Sequence, residues 1–152
     1  MKRSKIVTAH ITATIIAFLT ISGFFSVSLI AEIIGDELFI KKVKTGIVYC
    51  LPILLIAMPL LAISGNRLGG NSKDPIVAKK MKRMKLIAIN GVVLISLAIY
   101  LYYHAIYNTI DRTFLYVQIV ELSIGAVNLG LIAQNINSGL QLSGRLRKNS
   151  PL

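Results

Sequence analysis

"VQIVELSIGAVNLGLIAQN", residues 117–135, has the length and apolarity of a membrane span, yet Gln118, Glu121, Asn128, Gln134 and Asn135 stand within it. A helix in hydrocarbon has no use for a carboxylate and several amides unless they turn away from lipid. Positions 118, 121, 125, 128, 132 and 135 recur at alternating steps of three and four, which puts them on one helical face. That face reads Gln118, Glu121, Gly125, Asn128, Ile132 and Asn135, and it belongs against other helices. Gly125 in its middle would let a neighbouring backbone approach, as small residues do where membrane helices touch.

The stretch lies within an apolar run at 114–136, and three more such runs precede it at 6–34, 43–63 and 86–107. Each has the ~20 residues that ~30 Å of hydrocarbon requires at 1.5 Å per residue. The composition agrees: 55% of the 152 residues are hydrophobic, 15% are charged and the mean hydropathy is +0.71. Soluble domains lie nearer ~25% charged. The expected fold is therefore an all-α integral membrane protein, one domain over 1–152 forming a bundle of four transmembrane helices. The run after "MKRSK" is longer than the apolar part of a signal peptide and has no A-x-A site, so it reads as an uncleaved first span.

The net charge of +11 would suggest nucleic acid in a soluble protein, but here the basic residues flank apolar runs. Lys2, Arg3, Lys5, Arg67, Lys73, Lys79, Lys80, Lys82, Arg83, Lys85, Arg145, Arg147 and Lys148 fall on one side, and Lys41, Lys42, Lys44 and Arg112 on the other. The positive-inside rule then puts both termini in the cytoplasm and the chain in the inner (plasma) membrane, with no nucleic-acid partner. The basic stretch 66–85 is expected as a cytoplasmic loop. Lys79, Lys80, Lys82, Arg83 and Lys85 would lie on anionic headgroups. "GNRLGGNSK" lacks the GxxxxGK[ST] spacing of a phosphate-cradling loop. The outer loops, "GDELFIKK" and "NTIDR", leave no room for an external domain.

Two other runs carry matching polar faces. The first has His10, Thr14, Ala17, Ile21, Ser28 and Glu32; the third has Asn90, Leu97 and His104. The second is apolar apart from Tyr49 and Cys50 and holds Pro52 and Pro59, so it is expected outside the other three and bent by its prolines. Counting depth along the helices gives an outer cluster of His104, Gln118, Glu121 and Glu32, and an inner one of His10, Asn90 and Asn135. Glu121 is the acid furthest inside a span, and His104 is its expected partner.

Three function classes fit these residues. A non-enzymatic bundle would bind or pass a small ligand, ion or proton through Glu121, His104, Gln118, Asn128 and Glu32. A divalent metal at His104 and Glu121 would need further ligands from Glu32 or a second copy. An electron-transfer protein would hold b-type haem or quinone at His10 or His104; the two are ~25 Å apart in depth and cannot share one haem. An accessory subunit would turn its polar faces to a second copy of itself or to another membrane protein. The tyrosines of "YLYYHAIY" (100–107) read as an interfacial aromatic belt, and Cys50 as a packing residue. No nucleophile–His–acid arrangement can be assembled, because the two histidines sit at opposite ends.

Overall fold

Each of the chain's three aspartates opens a helix. In the computed structural model, which describes residues 3–70 and 72–143, the helices are α1 (Arg3–Ile34), α2 (Glu37–Gly69), α3 (Pro75–Tyr107) and α4 (Arg112–Leu142). The carboxylates of Asp36, Asp74 and Asp111 accept from the backbone N–H of Phe39, Ile76 and Phe114 at 2.8, 2.7 and 2.9 Å. Each satisfies one of the orphan donors of a helix start and favours the positive end of its dipole. Pro75 follows Asp74 at the first helical position, where its missing N–H costs nothing. Between α1 and α2 only two residues intervene; Gly35 takes φ +69 and its N–H returns to Ala31 O at 3.0 Å, closing α1 in the left-handed conformation glycine adopts freely.

The stretch 66–85, expected as a loop, is helical except at 70–74, with residue 71 not described. The cap at Asp74 starts α3 well before its apolar run, so the "KKMKRMK" segment is helix. Likewise α2 begins at Glu37 and not near 43. Lys2, Arg145, Arg147 and Lys148 lie outside the described residues, as does the side chain of Arg3. At 31–33 residues the helices are ~50 Å long, beyond the ~30 Å of hydrocarbon, so their charged ends project past the apolar band.

The helices form an antiparallel square in chain order, with α1 against α2, α2 against α3, α3 against α4, and a sparser α4–α1 seam that closes it. At the lower end α1 begins and α4 finishes; at the upper end lie the α1–α2 and α3–α4 connections. All four helices are long and apolar enough to cross a membrane. Their outer surface is studded with large apolar side chains such as Leu19, Ile33, Ile56 and Val92. α2 is no outlier: the buried share of its apolar window, 22%, equals that of α1 and α3. The expectation that it packs outside the others is overturned. Its inward row Ile40, Lys44, Ile47, Leu51, Leu54 and Ala57 fills the interior, and Pro52 and Pro59 are accommodated in one continuous helix. Against α3 it interlocks through glycines, Met84 filling the space over Gly65 and Met58 that over Gly91.

Three apolar layers result. Ala31, Ile40, Leu101, Ala105 and Phe114 close the upper end. Ile47, Leu51 and Ala98 lie below them. Ala17, Ile21, Leu54, Ala57, Ile87 and Ile132 form the central layer. Side chains standing in rows of three and four are enough to build such layers.

Asp111, outside the helices and fully exposed, has its carboxyl held below the ordinary carboxylate range, first by the Phe114 N–H and then by nearby His104. A lowered folded-state value means stability present above the ordinary ~3.9 and lost as pH falls through the lowered value. Asp111→Ala is expected to lower the thermal midpoint in detergent at pH 7 more than Asp111→Asn, which still caps. The difference between wild type and Asp111→Asn should shrink in midpoints recorded from pH 5 downwards.

Candidate functional site

Between the upper two apolar layers lies a buried ion pair. Lys44, 1% exposed, crosses the square from α2 and places its ammonium 2.7 Å from Glu121 Oε2 on α4. The same ammonium donates to Ser28 Oγ on α1 at 3.3 Å, and Gln118 Nε2 donates to Glu121 Oε2 at 2.9 Å. Three helices thus meet on one cation. Glu32 stands close enough for its charge to be felt by both Lys44 and Glu121, and its Oε1 is buried with no partner among the described residues. A void of about 50 Å³ adjoins the pair between Ser28, Glu121 and Gly125, which is room for water beside polar groups. Gly125 meets the ring of Phe25 and not the backbone expected there.

His104 is not the partner of Glu121. Its Nε2 lies 3.2 Å from both Thr109 O and Asp111 Oδ1, and its Nδ1 lies 3.4 Å from the Tyr100 hydroxyl. The imidazole thus ties the end of α3 to the start of α4. Among the described residues no three His, Cys, Asp or Glu side chains come together as a metal would need. Sequence reasoning missed Lys44 as a site residue, counting it only among the basic residues of the outer side. The signal was present: Ile40, Lys44, Ile47, Leu51 and Leu54 step by four and three, so the lysine belongs to a buried row.

The lower half of the bundle is hollow. A cavity of about 570 Å³ is walled by all four helices, with Ile11 and Ile15 from α1, Leu61 from α2, Ile87 from α3, and Ile132 and Ile136 from α4. That is within the range of ligand pockets. Ile11 and Ile15 line it while half exposed, as does Leu140, which places the mouth at the sparse α4–α1 seam. Polar groups gather at its lower end. His10 Nδ1 lies 2.9 Å from Ser64 Oγ. Asn135 Oδ1 accepts from Arg83 at 3.3 Å, and Arg83 also donates to Ser138 Oγ at 3.1 Å. Lys80 lines the cavity beside Gly139, whose added Cβ would lie 3.2 Å from its Nζ.

Asn128 separates the two regions. It is 0% exposed, and neither its amide nitrogen nor its oxygen has a partner among the described residues. One turn above, Gly125 borders the small void; one turn below, Ile132 borders the large cavity. The interior face expected from the spacing is the observed one, with Gln118, Gly125, Asn128, Ile132 and Asn135 buried and Glu121 nearly so.

Comparison with protein families, curated proteins and solved structures finds no match, so the chemistry of these two regions is the basis for a functional reading.

Removing one partner of a buried ion pair leaves an uncompensated charge, whereas removing both need not destabilise. Lys44→Met or Glu121→Leu alone should cost about 3–5 kcal/mol, and the double variant should recover most of that loss. Unfolding midpoints for the four-member cycle would check this. Asn128→Leu should raise the midpoint, by the equivalent of about 1–3 kcal/mol, because it removes two buried polar atoms that have no partner.

Proposed function

We propose that the chain is a non-enzymatic, multi-pass protein of the inner membrane, both termini cytoplasmic, that binds a small amphiphilic ligand in its lower, cytoplasmic cavity. The observation that carries this is the cavity itself: about 570 Å³, apolar along its length, polar at one end and bordered by the loosest helix seam. A well-packed bundle leaves few voids larger than a water molecule. Here the space continues the apolar surface that lipid would cover, and an elongated molecule could enter sideways between α1 and α4. The Lys44–Glu121 pair serves this reading as scaffold, since it holds α1, α2 and α4 together at the upper end while the lower end stands apart. Lys79, Lys82 and Lys85, the exposed members of the basic segment, would rest on anionic headgroups.

Cysteine protection tests the reading. In a Cys50→Ala background, single cysteines at Thr14 and Ile132 report on the cavity wall and one at Val127, 56% exposed on the outer surface, reports on lipid. In nanodiscs, saturating monoacylglycerol, an uncharged amphiphile, is expected to slow maleimide labelling at the two wall positions and leave Val127→Cys unchanged. Equal slowing at all three would show only partition into the bilayer and would sink the reading.

A further inference from the structure

The basic segment of α3 does not face one way. Lys79, Lys82 and Lys85 are exposed, while Lys80 and Arg83 are half-buried and turn towards α4. Sequence reasoning assigned all five to headgroups outside the bundle; steps of three along a helix explain why 80 and 83 share the inward face. Arg83 is held by neutral partners, Asn135 and Ser138, and Lys80 lines the cavity wall.

No carboxylate lies within ion-pair distance of either cation among the described residues. The reason is segregation of the acids. Of the six in the chain, Glu32, Asp36, Glu37, Asp111 and Glu121 belong to the upper half, and Asp74 is engaged in capping α3. The lower cavity therefore holds an ammonium, with a guanidinium next to it, and no internal counter-charge. A half-buried cation without a partner is costly, and an anion arriving there would be bound by charge-assisted hydrogen bonds in a medium of reduced polarity. Above these cations the wall is apolar as far as Ile15, Ile87 and Ile132.

We infer that the ligand is a single-chain anionic amphiphile, its carboxylate or phosphate monoester head set against Lys80, with Asn135 and His10 on the same wall, and its alkyl chain along the apolar length of the cavity. This rests on the cavity being a ligand site, and it adds the charge and the orientation of what occupies it. Gly139 borders the arrangement: a Cβ there would lie 3.2 Å from the Lys80 ammonium, and a bulky side chain would reach into the space the head group needs.

The test uses the full chain in phosphatidylcholine nanodiscs and a diazirine-bearing hexadecanoate as photo-label. Competitors are hexadecanoate, hexadecyl phosphate, the uncharged hexadecanol and inorganic phosphate. The expected result is adducts on α1 and α4 residues of the cavity wall, competed by hexadecanoate and hexadecyl phosphate about tenfold more effectively than by hexadecanol, the factor that one charge-assisted hydrogen bond supplies. Lys80→Gln should bring the charged and uncharged competitors together, Lys79→Gln should leave them apart, and Gly139→Phe should remove labelling altogether. Equal competition by hexadecanol in the wild type would overturn the anionic assignment and leave the cavity as an amphiphile site. Displacement by inorganic phosphate as effective as by hexadecyl phosphate would overturn the chain and point to a free aqueous anion. Labelling that no chain-bearing competitor saturates would overturn both the assignment and the ligand site beneath it.

Discussion

A cation that cannot reach water must find its counter-charge inside, and Lys44 finds it only by crossing the bundle. Diagonal helices do not approach one another in this square, yet the lysine side chain, anchored on α2, ends at Glu121 of α4 and touches Ser28 of α1 on the way. The pair fixes several things together. It sets the rotation of α2, so that the row through Ile47 and Leu51 faces inward, and it sets the rotation of α4, so that Gln118, Asn128 and Asn135 follow Glu121 to the inside. Apolar layers lie above and below the pair. Hydrophobic matching between lipid-like surfaces specifies rotation weakly in a membrane; a buried pair of opposite charges adds a directional restraint, since breaking it leaves an uncompensated charge.

The two halves of the molecule solve the polar problem differently. Above, Glu121 and Lys44 pair at 2.7 Å, and the interior leaves only a small void beside them. Below, cations predominate, the acids are elsewhere, and the interior is open. A fold optimised only for stability would close that space with larger side chains or pair Lys80 with a carboxylate. The lower half does neither.

The helix count, the helical class and the inward face of α4 were legible because period and apolarity act locally, residue by residue, along 117–135 and its counterparts. The three aspartate caps were equally legible in "GDE", "KDP" and "IDR", and reading them would have shortened the loops to their true lengths. Pairing was not legible. Depth counting put His104 level with Glu121, but depth along a helix says nothing of rotation around it, and the histidine turned to Thr109 and Asp111. Lys44 was misassigned because a lysine next to Lys41 and Lys42 looks like a flank, when its place in the row from Ile40 to Leu54 made it interior. The cavity could not have been read at all, since it arises from how far α1 and α4 stand apart and no single residue encodes that.

The central layer of Ala17, Ile21, Leu54, Ala57, Ile87 and Ile132 would have a consequence for proton leakage if the bundle is seated in an energised membrane. A polar-lined bundle across an energised membrane is a short-circuit hazard, because any unbroken file of hydrogen-bonding groups would let protons run down the membrane potential. Here ionisable groups occupy both halves, and between them on the inward face of α4 stands Asn128, an amide that cannot take up and release a proton at physiological pH and whose side-chain atoms have no hydrogen-bond partner among the described residues. In this conformation the apolar layer interrupts any such file, and across a membrane it would act as an insulator above the hollow.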